Sequence, residues 1–196
     1  MTSPNDPFGP ARQARALFDA VAAMSGDSAG VSRPAFSELE TQVLKYLQSE
    51  AEMAGLITWF DAGQNLLLSL PEDADANRFV LVGSHVDSVP LGGNFDGLAG
   101  VVAGILCLIR AKTEGRRFVR PVRVIAMRGE ESAWFGPCYI ASKSLMGSLG
   151  ADELAAQHKE NNRSLDAHMQ AVGVDMKQVR AGEPLIDREQ LLEYIE

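Results

Sequence analysis

Residues 78–89, RFVLVGSHVDSV, decide the fold expected for this chain. Their first half is rich in valine and almost continuously apolar, which is typical of a strand covered on both faces by helices. A helical segment follows from Gly97 to about Ala111, and a second apolar run extends from Pro121 to Met127. Two strands joined by a helix in this way form a right-handed crossover and lie parallel. We therefore predict an α/β fold of three layers, αβα, around a largely parallel central sheet.

The segment before this core predicts two helices. Apolar residues recur on one face of residues 11–24, and again over residues 37–54. Ser37 and Glu40 have the spacing of a capping box, in which each side chain accepts a hydrogen bond from the other's backbone N–H. The polar opening residues are expected to fray. The apolar stripe of the second helix consists of Leu39, Val43, Leu47 and Ala51.

Shorter elements are predicted on either side of the core. Apolar runs at residues 56–60 and 65–70 flank turn residues and indicate a β-hairpin. After Gly150 the composition favours several short helices, and Asp187 with Gln190 predicts the cap of a last helix, LLEYIE. The chain would then stop within a helix, which suggests a boundary set by something other than folding.

Charge and hydropathy exclude several classes of partner. The net charge is −8 and the basic residues are scattered, so no basic surface is expected to bind nucleic acid. The apolar run from Val101 to Ile109 is far shorter than the roughly 20 residues that cross a bilayer, and no signal pattern opens the chain. We expect a soluble, cytoplasmic protein with two buried free thiols, Cys107 and Cys138.

Polar residues follow the first strand of the core. In open α/β sheets, ligands bind beyond the carboxyl ends of the strands. His85 and Asp87 lie there, and the alternation of side chains along a strand puts both on one face. If the Asp87 carboxylate accepts one ring N–H, the other nitrogen of His85 is free for a metal ion. The alternative is that His85 is a hydrogen-bonded histidine of the core.

Asp96 ends a glycine-rich loop, LGGNFDG at residues 91–97, where the helix begins. It could serve only as the N-cap of that helix. Its carboxylate has two oxygens, however, and lies near His85 in this topology. Asp96 is therefore also a candidate to bridge two cations.

Glu130 and Glu131 come directly after the second strand. Two adjacent acids are ordinarily a solvated surface pair. If Glu131 binds a cation, their mutual repulsion is offset, and Glu130 can accept a proton from a water whose pKa the metal lowers towards about 7. We interpret Glu131 as a metal ligand and Glu130 as a general base.

The donor set indicates which ions this centre would hold. His85, Asp96 and Glu131 offer nitrogen and oxygen atoms and no thiolate, which suits zinc, manganese, cobalt or nickel. Each residue alone has a structural explanation, but all of them fall at two neighbouring strand ends. We therefore predict a catalytic centre of two divalent metal ions.

Two stretches of the chain resemble a known family. GSHVDSVPLGGNFDGLAGVVAG at residues 83–104 and RGEESAWFG at residues 128–136 are similar to the carbamoylase and allantoate amidohydrolase branch of the dizinc aminoacylase/carboxypeptidase superfamily. That branch includes N-carbamoyl-L-amino acid hydrolase and beta-ureidopropionase. Its GG-x-FDG loop and the FG after the paired acids are present here, and GVSRPAFS at residues 30–37 and GQN at residues 63–65 extend the resemblance.

The resemblance implies a dizinc-exopeptidase-like catalytic domain with defined residue roles. His85 would bind the first metal, Asp96 would bridge both, Glu131 would bind the second, Asp87 would support His85, and Glu130 would be the base. It also implies hydrolysis of a C–N bond in a linear ureido or amide substrate, typically an N-carbamoyl amino acid or an allantoate-like compound, with release of ammonia and carbon dioxide.

The same resemblance implies that residues 1–196 are the N-terminal part of a longer catalytic domain. In the branch, a HIEQG-like segment after a helix resembling LLEYIE supplies another histidine ligand, and a further one comes near the C-terminus. A lid domain there forms the dimer and carries the arginine that holds the substrate carboxylate. None of these is present, so we expect a homodimer only of the full-length protein and no activity from this chain alone. His158 and His168 are expected at the surface.

Two other functions remain open at this point. An aminopeptidase, dipeptidase or deacylase would use the same metal core on a peptide or acyl substrate. A catalytically silent, metal-free domain that binds a partner would keep the strands without a complete site. A serine hydrolase is less favoured, because Ser84 and Ser132 lack a G-x-S-x-G context.

Overall fold

Five strands form one sheet in the computed structural model, which describes residues 9–196. The opening residues 1–8, expected to fray, lie outside the described part. The strands pair in the order β1-β2-β4-β3-β5, and β4, β3 and β5 are parallel, whereas β1 and β2 are antiparallel additions at one side. Their bounds are β1 Ile57–Phe60, β2 Leu66–Ser69, β3 Phe79–His85, β4 Val122–Met127 and β5 Leu191–Ile195.

Helices cover both faces of this sheet. On one face, α1, α2 and α3 share a buried apolar cluster with β2 and β4, and on the other, α4 packs against β3 and β4. A third cluster joins the short helices to the segment after β4. The helix bounds are α1 Gly9–Ser25, α2 Glu38–Met53, α3 Leu98–Thr113, α4 Ile140–Leu145, α5 Ala151–Leu154, α6 Leu165–Ala171 and α7 Met176–Arg180.

The predicted three-layer αβα fold is confirmed, and so is the strand, helix, strand core. β3 and β4 pair in parallel from Val80 with Val122 to His85 with Met127, so both strands end at the same edge. The predicted hairpin is β1 with β2, and the two amino-terminal helices lie where the apolar periodicity indicated. Because β3 and β4 are parallel neighbours, their carboxyl ends lie side by side. The candidate site lies at these ends.

The last predicted helix is wrong, because residues 191–195 form strand β5. Leu191, Tyr194 and Ile195 pair in parallel with the free edge of β3. Gln190, predicted to cap a helix with Asp187, instead donates its backbone N–H to the Asp187 carbonyl at 3.0 Å in a turn. Hydrogen bonds to an open strand edge thus outweigh a helical pattern only one and a half turns long.

The capping box at α2 is half correct. Ser37 accepts a hydrogen bond from the backbone N–H of Glu40 at 3.1 Å, as predicted. The Glu40 carboxylate does not return to Ser37. It accepts instead from the backbone N–H of Phe36 at 2.9 Å and of Gly129 at 3.2 Å. Glu40 is fully buried, so its carboxylate accepts hydrogen bonds from buried backbone groups instead of capping the helix.

Both cysteines are free thiols, as predicted, but neither is buried. Cys107 is exposed and Cys138 is half-buried. On α3 the inward positions are taken by Val101, Ile105 and Leu108, which leaves Cys107 on the outer side of the helix. Within residues 9–196, no helix has both the length and the apolar character needed to cross a membrane.

Candidate metal centre

His85 is the last residue of β3, and its ring is fixed by Asp87. The ring nitrogen Nδ1 lies 3.1 Å from the backbone oxygen and 3.3 Å from the carboxylate Oδ1 of Asp87. The other nitrogen, Nε2, faces Asp96 Oδ1 at 4.0 Å. The side chain is only 12 % exposed. Burial lowers the pKa of His85, but the hydrogen bond and charge of Asp87 outweigh it and raise that pKa to about 9.

Asp87 orders the other strand end as well. Its side chain is completely buried, and its two carboxylate oxygens accept hydrogen bonds from the backbone N–H groups of Glu130 at 3.0 Å and Glu131 at 3.1 Å. One carboxylate therefore joins the end of β3 to the segment after β4. The prediction that Asp87 lies against the imidazole agrees with this geometry, whereas its link to the paired glutamates was not foreseen.

Asp96 is not the N-cap of α3. The cap position is Gly97, and no side chain makes a capping hydrogen bond there. Gly97 has a φ of 64°, and a Cβ at this position would lie 2.5 Å from atoms of the His85 ring. A glycine is thus required for the loop to pass over the imidazole. The Asp96 carboxylate is 60 % exposed.

Three of the predicted residues converge. His85, Asp96 and Glu131 each offer one ligand atom, and these atoms lie within 4.8 Å of one another. Burial raises the pKa of Glu131, and nearby Asp96 and Asp87 add to that rise, while His85 opposes it. One imidazole nitrogen and two carboxylates this close suit a divalent transition metal ion. A cation would also offset the mutual repulsion of the acids.

Glu130 precedes Glu131 in the chain, and its side chain is held by Ser142. It is 7 % exposed, and its Oε1 accepts hydrogen bonds from the backbone N–H of Ser142 at 2.9 Å and from the Ser142 hydroxyl at 2.8 Å. Burial raises the pKa of Glu130, although the Ser142 hydrogen bonds oppose that rise. Two hydrogen bonds from Ser142 thus fix Oε1 of Glu130. Ser142 was not singled out from the sequence.

A buried ion pair supports the loop that carries the paired glutamates. Arg128 Nη1 donates to Glu40 Oε2 at 2.8 Å, and both side chains are at most 1 % exposed. Arg128 also donates from Nε to the Gln64 carbonyl at 2.7 Å. Glu40 and Arg128 are 88 positions apart, so only the fold brings them together. Neither was recognised as part of the site environment from the sequence.

The two remaining histidines were predicted at the surface, but His158 is buried and His168 is partly buried. His158 is 4 % exposed and stacks on Trp134, with ring centroids 5.7 Å apart, and His168 is partly buried and stacks on His158 at 4.9 Å. Trp134 donates its indole N–H to the Ser88 carbonyl at 2.7 Å. The polar segments that carry both histidines fold back onto the aromatic residues after Glu131. Neither histidine belongs to the metal-ligand cluster found among the described residues.

Comparison with known proteins agrees with this fold. The sequence matches the model of peptidase family M28 over residues 65–191. It is 34 % identical over 148 residues to an N-carbamoyl-L-amino acid amidohydrolase of Geobacillus stearothermophilus, covering 76 % of this chain and 36 % of that protein. It is 31 % identical over 169 residues to an allantoate amidohydrolase of Escherichia coli K12, covering 85 % of this chain and 40 % of that protein.

A solved structure gives the same result. A hydantoinase/carbamoylase family amidase from Burkholderia ambifaria superposes with a TM-score of 0.73 at 32 % sequence identity, over 84 % of this chain and 40 % of that one. The fold is that of an α/β domain shared with hydantoinase/carbamoylase family amidases. The chain belongs to peptidase family M28, with its relatives in the hydantoinase/carbamoylase branch. It spans 36–40 % of the length of the three relatives named here.

Proposed function

We propose that this chain is the metal-binding, N-terminal part of an amidohydrolase that cleaves a C–N bond in a linear ureido or amide substrate. The observation that carries the proposal is the convergence of His85, Asp96 and Glu131, with ligand atoms within 4.8 Å, next to the buried carboxylate of Glu130. A structural cluster of acids alone would have no need of an imidazole fixed by a second carboxylate.

The chain's own residues divide the chemistry among them. A divalent ion held by His85, Asp96 and Glu131 would lower the pKa of water and polarise a substrate carbonyl. Asp87 fixes the imidazole through Nδ1 and leaves Nε2 for the ion. Glu130 accepts the proton of the attacking water at Oε2 and can return it to the leaving nitrogen. The burial-raised pKa of Glu130 suits a base that works near neutral pH.

Three ligands supply less than two ions need, since a catalytic zinc ion ordinarily has three protein ligands of its own. We propose that Asp96 bridges two ions and that further ligands come from parts of a longer protein. Zinc, manganese, cobalt and nickel all suit the donor set. A homodimer formed through a lid domain and a cytoplasmic location stay predictions.

The substrate class rests on relatives. The names of the Geobacillus stearothermophilus and Escherichia coli proteins specify N-carbamoyl-L-amino acids and allantoate. N-carbamoyl amino acids and allantoate-like compounds are therefore the proposed substrates. The match to a peptidase family favours a second candidate, an aminopeptidase or deacylase that uses the same metal core.

Product analysis distinguishes these candidates. The protein to test is the chain followed by the part of the Geobacillus stearothermophilus relative that lies beyond the matched region, loaded with zinc or manganese. We expect ammonia from N-carbamoyl amino acids, a rate lowered roughly 10²–10⁴-fold by Glu130→Gln, and no turnover by residues 1–196 alone. Release of amino acids from dipeptides without ammonia would favour the peptidase instead. A folded fusion without metal or turnover would contradict the proposal.

A further inference from the structure

Arg33 lies between two segments that carry proposed metal ligands. One is the end of β3, with His85, and the other is the glycine-rich loop, with Asp96. The Arg33 side chain has no exposed surface. Its backbone pairs with Ser88: the Arg33 N–H donates to Ser88 Oγ at 3.0 Å, and the Ser88 N–H donates to the Arg33 carbonyl at 3.1 Å. Two residues earlier, Val31 exchanges backbone hydrogen bonds of 3.0 Å and 2.8 Å with Gly92. Residues 31–33 thus run alongside both ligand-bearing segments.

The Arg33 guanidinium joins these segments directly. Its Nε donates to the Val86 carbonyl at 2.6 Å, and Val86 is the residue between His85 and Asp87. Its Nη1 donates to Ser25 Oγ at 2.9 Å and to Asn94 Oδ1 at 3.4 Å. Asn94 is two residues before Asp96. One planar side chain therefore contacts the strand end that presents His85 and the loop that presents Asp96.

The far side of the loop is tied to α1. Asn94 donates from Nδ2 to the Phe18 carbonyl at 3.0 Å. The Phe95 ring meets the Phe18 ring edge-on, with centroids 4.8 Å apart. Asn94 thus receives a hydrogen bond from Arg33 and passes one on to α1.

A buried guanidinium is costly, and this one does not have a complete set of partners. Within residues 9–196, Arg33 Nη2 is buried without a hydrogen-bond partner. Burial lowers the pKa of Arg33, and the charges of Asp87, Glu40 and Asp96 oppose that effect. A neutral apolar residue would pack here without such a desolvation cost. The arginine is better explained by the segments that it joins.

We propose that Arg33 is a positioning residue of the metal centre: it holds the His85 strand end and the Asp96 loop at the separation at which both contact one ion. This inference rests on the proposed metal site. Arg33 acts through Val86 and Asn94 and contacts no substrate. Lysine cannot replace it, because an ammonium on a flexible stem lacks the rigid fork that reaches two acceptors at once.

The test is calorimetric titration of the metal-free chain with Zn²⁺ or Mn²⁺. We expect Arg33→Lys to bind the ion roughly 10–100-fold more weakly than the unchanged chain, as for other residues that orient metal ligands. Asn94→Ala, which removes one end of the connection, should weaken binding in the same direction but less. Asn94 is partly exposed, so this variant tests the idea even where Arg33→Lys fails to fold.

Arg123→Lys is the matched control. Arg123 is partly buried and donates from Nη2 to the carbonyls of Ala74 and Ala76 at 2.9 and 3.0 Å, but it lies near the start of β4, at the other end of the strand from the candidate metal centre. It should lower the melting temperature and leave metal affinity unchanged. Folded Arg33→Lys and Asn94→Ala variants with affinities within twofold of the original would overturn the inference. An unchanged chain that binds no ion would instead overturn the proposed function, and the inference with it.

Discussion

At the scale of single residues, Asp87 connects three of the candidate site residues to one another. It contacts the His85 ring and accepts the backbone N–H groups of Glu130 and Glu131. Asp87→Asn should weaken zinc binding roughly 10–100-fold, because an amide has a single acceptor oxygen and its NH₂ would face a donor. Titration calorimetry measures the loss. The exposed Asp152→Asn serves as control, and equal affinities of the two variants would exclude this role for Asp87.

The raised pKa of His85 predicts how metal binding depends on pH. Burial lowers this pKa, but Asp87 raises it, and the result is about 9 in the metal-free chain. A metal ligand must be the neutral imidazole, so binding below pH 9 expels a proton. Affinity should rise by up to about tenfold per pH unit between 6.5 and 9. Conversely, the protonated imidazole stabilises the metal-free fold below its unfolded pKa of 6.5, and this contribution is lost as the pH rises through about 9.

That dependence can be measured by titrating one divalent ion at pH 6.5, 7.5 and 8.5 and by counting the protons released into two buffers of different ionisation enthalpy. Release of nearly one proton per ion at pH 6.5 is expected. An affinity that does not change over this range would mean that His85 is neutral without metal.

Gly97 allows a sharp test of the loop geometry. Gly97→Ala would force a Cβ to within 2.5 Å of the His85 ring at a φ of 64°. We expect metal affinity to fall more than about tenfold, as when ligand orientation is lost, together with a lower melting temperature. Gly93→Ala, in the same loop, meets no atom within 4 Å and is the control. If the two variants behave alike, Asp96 and His85 do not have the close arrangement described.

All five predicted site residues could be found from local sequence because each lies just after a strand or in the loop that leads into α3. His85, Asp87, Asp96, Glu130 and Glu131 are brought together as topology alone requires. Their roles as ligands and base stay predictions. The residues that support them could not be found in this way. Arg33 and Asn94 are 61 positions apart, and Glu40 and Arg128 are 88 positions apart, with no periodicity that connects them.

At the scale of elements, the pair of Arg128 and Glu40 attaches α2 to the end of β4. Burial raises the pKa of Glu40 to about 7, and Arg128 opposes that rise. Arg128→Met would leave the carboxylate buried without its cation and should cost about 3–5 kcal/mol of unfolding free energy. When a carboxyl group has a higher pKa in the folded state than in the unfolded state, the free energy of unfolding falls as the pH rises from the unfolded pKa through the folded pKa. The loss should therefore be larger at pH 8.5 than at pH 5.5.

Urea denaturation at both pH values measures this difference. Arg120→Met is the control, since Arg120 is exposed and pairs with Glu193 at 3.2 Å. Such a surface pair contributes at most about 1 kcal/mol. An Arg128→Met variant as stable as this control at pH 8.5 would show that the buried pair does not hold α2 in place.

The strand β5 shows where sequence reasoning about elements fails. LLEYIE has apolar residues at helical spacing, yet it pairs with β3. A segment of six residues has little helical stability of its own, and the open edge of β3 offers a row of backbone partners. Ser84 on β3 also donates to Glu196 Oε1 at 2.9 Å. Longer elements such as α2 and α3 were predictable because their periodicity extends over several turns.

At the scale of the whole molecule, the site depends on segments that are far apart in the sequence. Residues 25–40 contact the loops that carry the candidate ligands, and residues 134–168 pack on the segment after Glu131. The three-layer architecture followed from one strand, helix, strand pattern. The packing of the carboxyl-terminal segments could not be predicted from the sequence, because their contacts are made by scattered aromatic and polar side chains such as Trp134 and His158.

The central claim is tested most directly by titrating zinc into the metal-free chain and into two variants of it, at the adjacent residues Glu130 and Glu131. Glu131→Gln removes a proposed ligand, whereas Glu130→Gln removes the proposed base and keeps an acceptor for Ser142. We expect Glu131→Gln to lose affinity beyond the roughly hundredfold typical of orienting residues, and Glu130→Gln to bind as tightly as the unchanged chain. Equal losses in both variants, or no binding by the unchanged chain, would contradict the account.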